Sequence, residues 1–287
     1  MKVPFLDLGA SYLEIQPQLH AAASRVLESG WYIGGPEVEA FEREFATYCG
    51  VAHCVGVANG LDALQLALLA AGVRPGDEVV VPAHTFIATW LAVTQCGAVP
   101  VPVDTDEATY TLDPARLAAA FTARTRAVIP VHLYGSSADL DAILRISAEH
   151  GVAVIEDAAQ AHGARFRGRR IGAHGMAVAW SFYPGKNLGA LGDAGAITTD
   201  DEAVAERLRL LRNYGSTVRY VHELQGRNSR LDPLQAALLS VKLARLDEWN
   251  DRRRRIAARY LDELPTGELT LPAVSVGVDP VWHLFCV

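Results

Sequence analysis

Lys186 stands in the stretch AVAWSFYPGKNLGALGDAGAITT, inside a glycine-rich loop flanked by apolar residues and just after a strand-like run ending at Ser181-Phe182. Long-stemmed lysines ordinarily lie on solvated surfaces. One held in apolar surroundings has its ammonium form disfavoured and serves either as a Schiff-base amine or as a phosphate-binding cation. The hydroxyl of Ser181 can donate to a phosphate. Upstream, VAVIEDAAQAHGA ends an apolar strand at Glu156-Asp157. An acid there is costly to bury unless a cationic partner meets it, a protonated ring nitrogen being one such partner; the alternative for Asp157 is a helix cap. Gln160 and His162 follow within reach of the same rim, where either can hydrogen-bond a ligand oxygen. Asn59-Gly60 lies between the strand HCVGVA and the helix LDALQLALLAAG. A glycine at such a turn lets backbone amides approach a phosphate at a helix N-terminus, although it also serves simply as a turn residue.

The elements that position these residues alternate from Val51 to about Thr199: short β-branched runs (AHCVGVA, DEVVVPA, AVPVPVD, RAVIPV, VAVIED) and amphipathic runs such as TFIATWLAVTQCG and the helix from about Ala138 to His150. This is the pattern of an α/β fold, a mostly parallel central sheet with helices on both faces. Right-handed crossovers gather the carboxyl ends of its strands on one side, where such sheets bind ligands. Two helices are expected at the start, about Tyr12–Glu28 and Pro36–Tyr48. One long helix is expected from about Asp232 to Leu264, its Arg252–Arg255 run forming a solvated face. The last segment, LTLPAVSVGVDPVWHLFCV, ends in an apolar strand-like run.

Phosphate cradle, acid and lysine thus occur in that order, each at a strand end on one sheet edge. Together they supply what pyridoxal phosphate needs: an anchor, a carboxylate that keeps the pyridine nitrogen protonated, and an amine to form the imine. Neither a GxGxxG dinucleotide turn nor a GxxxxGK[ST] loop is present. A net charge of -7 argues against nucleic acid as a partner. No apolar run of membrane-spanning length and no basic-then-apolar leader is visible, so a cytoplasmic protein is expected. The four cysteines follow no disulfide or zinc spacing; buried free thiols and no metal are expected.

The stretches VANGLDALQLAL, VPAHTFIATWLAV, PVHLYG, EDAAQAHGA, SFYPGKNLGALGDAGAITT, LRNYGS and GRNSRLDPLQAALL resemble the sugar aminotransferases of the DegT/DnrJ/StrS family, within the fold-type-I pyridoxal-phosphate enzymes. The likeness runs from about Phe5 to the last residue. It implies that Lys186 is the Schiff-base lysine, Asp157 the partner of the pyridine nitrogen and Gln160 the group near the ring hydroxyl. Phe86 would stack on the ring, and Gly60, Leu61 and Ser181 would cradle the phosphate. Asn228 matches a residue that family members contribute to the neighbouring subunit's cofactor phosphate, which implies a homodimer with shared active sites. Within the Gly30–Pro36 loop, Trp31 or Tyr32 would touch substrate.

NGLDAL together with SFYPGKNLGALGD looks most like the branch that aminates C3 of dTDP-linked 3-keto-6-deoxyhexoses, with pyridoxamine phosphate as the intermediate carrier and glutamate as amino donor. Relatives acting at C4 are similar at most of these positions. A dehydratase branch has histidine where this chain has Lys186, so the lysine implies transamination. Arg230 is a candidate for the donor carboxylate, the alternative being a surface or interface salt bridge. The family's chains continue beyond VWHLF, so residues 1–245 are expected to form the large cofactor-binding domain and 246–287 the start of an incomplete small C-terminal domain. The rivals to an enzyme are a non-catalytic regulator that has kept the cofactor and an inactive fragment.

Overall fold

The fold is a computed structural model that describes residues 3–218 and 220–287. Its strands are β1 (His53–Val57), β2 (Glu78–Pro82), β3 (Val99–Val103), β4 (Thr125–Val128), β5 (Ala153–Asp157), β6 (Arg165–Phe166), β7 (Arg169–Arg170), β8 (Ala177–Ser181), β9 (Gly195–Thr199) and β10 (Val278–Asp279). The α-helices are α1 (Leu8–Glu14), α2 (Gln16–Ser29), α3 (Pro36–Cys49), α4 (Gly60–Ala70), α5 (Ile87–Gln95), α6 (Pro114–Leu117), α7 (Leu140–His150), α8 (Glu202–Arg212), α9 (Pro233–Leu243) and α10 (Leu246–Glu263).

A seven-stranded sheet in the order β1-β9-β8-β5-β4-β2-β3 forms the centre. Its strands pair in parallel except that β9 runs antiparallel to both neighbours. Alternation along the strands sends successive side chains to opposite faces. Val79, Val81, Ala177 and Ala179 therefore pack with α4, α5 and α8, while Val178 and Trp180 face a second core that includes Phe41 and Phe45 of α3 and Leu239 of α9. With both faces covered, the inner strands read as continuous apolar runs, and the expected α/β class is what forms.

Two expected helices are each two. The first breaks at Ile15, where φ is -131° and Pro17 opens α2. The long C-terminal helix breaks at Ala244-Arg245, with no glycine or proline to announce it. The break keeps α9 on α2 and α3 and redirects α10, so that Leu246 and Asn250 become fully buried. The final segment was expected to be strand-like, but only Val278-Asp279 pairs, with β6. Beyond it the backbone bonds to a turn instead: Val281 N–H donates to Gly135 O at 2.9 Å and Leu284 N–H to Tyr134 O at 3.3 Å. Gly135 has φ of +94°, and a Cβ there would lie 2.7 Å from the His283 nitrogen, so only glycine admits this approach.

Candidate active site

At the carboxyl ends of β1, β5 and β8 lies a cavity of about 1520 Å³. Gly60, Leu61, Phe86, Asp157, Gln160, Ser181 and Lys186 all line it. Asn228 is not among its lining residues and is exposed, at an isolated bridge with Asn213. His162 is fully buried between the rings of Trp180 and Phe182, at centroid distances of 5.3 and 5.6 Å, and does not line the cavity. Trp31 and Tyr32 are exposed and bonded within their own segment, Trp31 Nε1 donating to Ile33 O and Tyr32 Oη to Leu27 O. Arg230 donates to Asn213 Oδ1 at 3.2 Å and sits over the Tyr214 ring, also outside the cavity lining.

Each lining group is set by local structure. Asn59 caps α4 by accepting from Asp62 N–H at 2.8 Å, which presents the helix N-terminus to the cavity. Gly60 brings that helix hard against β8: a Cβ would lie 2.6 Å from Ser181 Cβ. Ser181 Oγ accepts from Tyr183 N–H at 3.3 Å, leaving its own hydrogen free to donate. Gln160 Oε1 accepts from Tyr134 N–H at 2.6 Å, so its amide nitrogen is left to donate into the cavity.

Asp157 is 5% exposed. Thr89 Oγ1 donates to its Oδ2 at 2.9 Å and Ala159 N–H to its Oδ1 at 3.1 Å. Burial nevertheless raises its carboxyl above the ordinary range, against those hydrogen bonds and the nearby Lys186 charge. Lys186 is shifted the other way: burial lowers its ammonium pKa, and the charge of Asp157 opposes this only partly. The arrangement therefore holds a carboxylate short of positive charge and an amine biased towards its neutral, nucleophilic form.

The preceding residue, Glu156, points to the other face. Its Oε1 accepts from His174 N–H at 3.0 Å and Gly175 N–H at 2.6 Å, and His132 Nε2 meets Oε2 at 3.0 Å. Ala138 N–H donates to His132 Nδ1, so the imidazole proton is on Nε2 and points at the carboxylate. Burial opposes ionisation of Glu156, but these donors hold its carboxyl below the usual range. His132 N–H also donates to Asp157 O, tying this network to the end of β5.

Three residues of the site carried no recognisable mark in the sequence. Thr89 is buried under Asp157. Arg253 belongs to a run expected to be a solvated helix face, yet it lines the cavity and donates to the Trp282 and His283 carbonyls at 3.3 and 3.4 Å. The other members of the run stay outside the cavity: Arg252 pairs with Glu14 at 2.7 Å, Arg254 with Asp251, and Arg255 is exposed. His283 lines the cavity from the closing segment. Among the described residues no His/Cys/Asp/Glu cluster could hold a metal, and all four cysteines are free. No helix of the described residues is long and apolar enough to cross a membrane.

Pyridoxal phosphate fits this cavity on its own geometry: a helix N-terminus at Gly60 held so close to Ser181 that a Cβ would collide with it, a buried acid lacking a full cationic partner, and an amine kept from its charged form. The model of the DegT/DnrJ/EryC1/StrS aminotransferase family matches residues 14–287. The erythromycin biosynthesis sensory transduction protein EryC1 of Saccharopolyspora erythraea is 60% identical over 99% of this chain and 78% of its own length. The dTDP-3-amino-3,4,6-trideoxy-alpha-D-glucose transaminase of Streptomyces venezuelae is 58% identical over 100% of this chain and 76% of its own. The crystal structure of S. venezuelae DesV in complex with a ketimine intermediate superposes with a TM-score of 0.97 at 58% identity, covering 99% of this chain and 77% of that one. On this family match and these identities, the chain belongs to the DegT/DnrJ/EryC1/StrS aminotransferase family and is a pyridoxal-phosphate-dependent aminotransferase.

Proposed function

We propose that this enzyme moves an amino group from L-glutamate to the C3 ketone of a dTDP-linked keto-deoxyhexose. The observation that carries the proposal is the convergence of Lys186, Asp157 and the Gly60 turn on one cavity. Its volume of about 1520 Å³ exceeds the roughly 300–1,000 Å³ of an ordinary small-ligand site, leaving space for a cofactor and a nucleotide sugar together. The names of the relatives from S. venezuelae and from Aneurinibacillus thermoaerophilus, a dTDP-3-amino-3,6-dideoxy-alpha-D-galactopyranose transaminase, support C3 and dTDP.

Bound in this cavity, pyridoxal phosphate supplies a reactive carbonyl and a cationic ring that withdraws electrons from the carbon carrying the amine. The α4 N-terminus at Gly60-Leu61 and the Ser181 hydroxyl would receive its phosphate. Asp157 would hold a proton on the ring nitrogen, gaining the cation that its buried carboxylate lacks, with Thr89 fixing the carboxylate's plane. Gln160 would donate its free amide hydrogen to the ring oxygen, and Phe86 would cover the ring face. The Lys186 amine would take the proton from the donor's α-carbon and deliver it to the cofactor carbon that keeps the amino nitrogen; in the second half it would take that proton back and place it on C3 of the sugar.

The same reading includes a homodimer in which Asn228 reaches the partner's phosphate. Asn228 is exposed and does not line its own cavity, and Phe86, Ile87, Leu91 and Tyr183, at the rim, leave large apolar surfaces exposed. It also includes a cytoplasmic setting, in which four free thiols stay reduced.

The test is to supply the purified protein with pyridoxal phosphate, L-glutamate and a dTDP-3-keto-6-deoxyhexose, and to follow 2-oxoglutarate and the aminosugar by mass spectrometry. The aminosugar at C3 is the expected product. Amination of the 4-keto isomer alone would overturn the assignment of the carbon. The name of the Saccharopolyspora relative favours a second reading, a regulator that binds the cofactor without turning it over. Stoichiometric cofactor binding with no response to any amino donor would establish that reading instead. A further expectation concerns the cradle: Gly60→Ala should destabilise the fold by about 1–3 kcal/mol, because the Cβ overpacks against Ser181. Urea denaturation would measure that loss, and cofactor titration should show weaker binding, because α4 must back away from the phosphate.

A further inference from the structure

The cavity-facing chemistry of His283 is decided by a chain of hydrogen bonds that begins inside the core. Asn250, fully buried, donates from Nδ2 to the His162 carbonyl at 2.8 Å, so its Oδ1 must accept. It accepts from Asn187 Nδ2 at 2.9 Å, and the same Nδ2 donates to the Val281 carbonyl at 3.0 Å. Both amide hydrogens of Asn187 are therefore committed, and its Oδ1 is an acceptor only. His283 Nδ1 lies 3.2 Å from that Oδ1, so Nδ1 carries the imidazole proton. Burial and the nearby Lys186 and Arg253 charges push the His283 pKa down to about 3, which keeps the ring neutral. Nε2 is then a bare acceptor on a ring that lines the cavity beside Lys186.

The backbone supports the placement. Trp282 has φ of +48°, a left-handed conformation that a tryptophan rarely adopts, and it turns the chain just before His283. Arg253 holds both carbonyls of that turn. Asn187 follows Lys186 directly, so one amide side chain joins the lysine loop, α10 and the closing segment.

We propose that His283 is a substrate-positioning residue whose Nε2 accepts a hydrogen bond from a hydroxyl of the bound sugar. The inference rests on the sugar-aminotransferase reading and adds a residue to it. An acceptor that cannot become a donor recognises a hydroxyl and rejects a carbonyl oxygen at the same point, so it favours one orientation of a keto sugar over the reverse.

Two isosteric replacements separate this role from a structural one. Asparagine at 283 retains a donor near the Nδ1 position and loses the cavity acceptor; glutamine retains an acceptor near the Nε2 position and gives up the bond to Asn187. His283→Asn should raise KM for the keto sugar, and Kd for the aminosugar product by titration calorimetry, about 10-fold. The half-reaction with glutamate should stay within about threefold, and His283→Gln should remain near wild type in all three. Nitrogen-15 NMR of histidine-labelled protein at neutral pH should show His283 protonated on Nδ1 alone. Unchanged KM and Kd in His283→Asn, an equal loss in both half-reactions, or protonation on Nε2 would overturn the proposal. If the wild type aminates no nucleotide sugar at all, the functional reading falls and the sugar contact with it. If it does and only the His283 variants disagree, the contact alone falls.

Discussion

Replacing Lys186 by alanine is expected to slow the reaction with glutamate about 10⁴-fold, as followed by the absorbance change of bound cofactor in single turnovers. The amine sits in surroundings that already disfavour its charge, so at neutral pH it is closer to accepting a proton than a surface lysine. Alanine removes the group that carries the proton and leaves the cradle, Gln160 and Asp157 in place. Cofactor affinity should fall far less than the rate. A primary amine added to the solution should restore part of the activity, increasingly with its basicity, because it can take up the vacated position. If Lys186→Ala kept a rate within tenfold of wild type, another base would have to be found in the cavity.

Asp157→Asn is expected to cost about 10²–10³-fold in kcat, as the removal of one preorganised electrostatic partner does, and to have the opposite effect on the stability of the cofactor-free chain. The carboxyl of Asp157 titrates at a higher pH folded than unfolded, because burial outweighs the Thr89 and Ala159 hydrogen bonds. Its contribution to stability is therefore present below the unfolded value of about 4 and is lost as pH rises through the folded value. Asparagine cannot ionise. The variant should gain on wild type across that window and then stay more stable by on the order of 1 kcal/mol. Urea denaturation of cofactor-free protein from pH 4 to 8 measures the difference. Saturation with pyridoxal phosphate should reverse the order, because only the wild type then pairs its charge. A variant less stable than wild type at every pH would mean that Asp157 is already compensated without a ligand.

The sequence was informative where chemistry and secondary structure coincide at one residue. Lys186, Asp157 and Gly60 each follow a β-branched run, and a parallel sheet has only one edge where such endings meet. Single residues therefore sufficed to place the site. It was uninformative where a role depends on a distant partner. His283 acquires its acceptor character from Asn187, 96 residues away, and nothing in VWHLF marks it. Arg252 and Arg253 are neighbours in one helix, yet one pairs with Glu14 on the surface and the other closes the cavity. Helical spacing says that they face different ways, not which of them is inside. The break between α9 and α10 was hidden for a similar reason, since the apolar periodicity continues through Ala244 and the change of direction is imposed by what Leu246 and Asn250 must reach. Asn228 and Arg230 lie outside the cavity of their own chain, and the role proposed for Asn228 needs a second subunit.

The antiparallel strand β9 carries a consequence for how the molecule comes into being. β1 lies at the edge of the sheet and has β9 as its sole ladder partner, His53 opposite Thr199 and Val57 opposite Gly195. The turn at Gly60 follows β1 and packs against Ser181, which ends β8, and β8 pairs with β9 as well. During synthesis the cradle's first half is therefore made early but has nothing to zip onto until the chain has grown past residue 199. Such long-range pairing slows folding, because loop closure precedes the contacts that reward it. Until then β1 exposes an apolar edge open to mispairing with other chains. Heat or a destabilising substitution in β9 should reopen that same edge, so aggregation is expected to begin at β1 while β2, β4 and β5 still hold together.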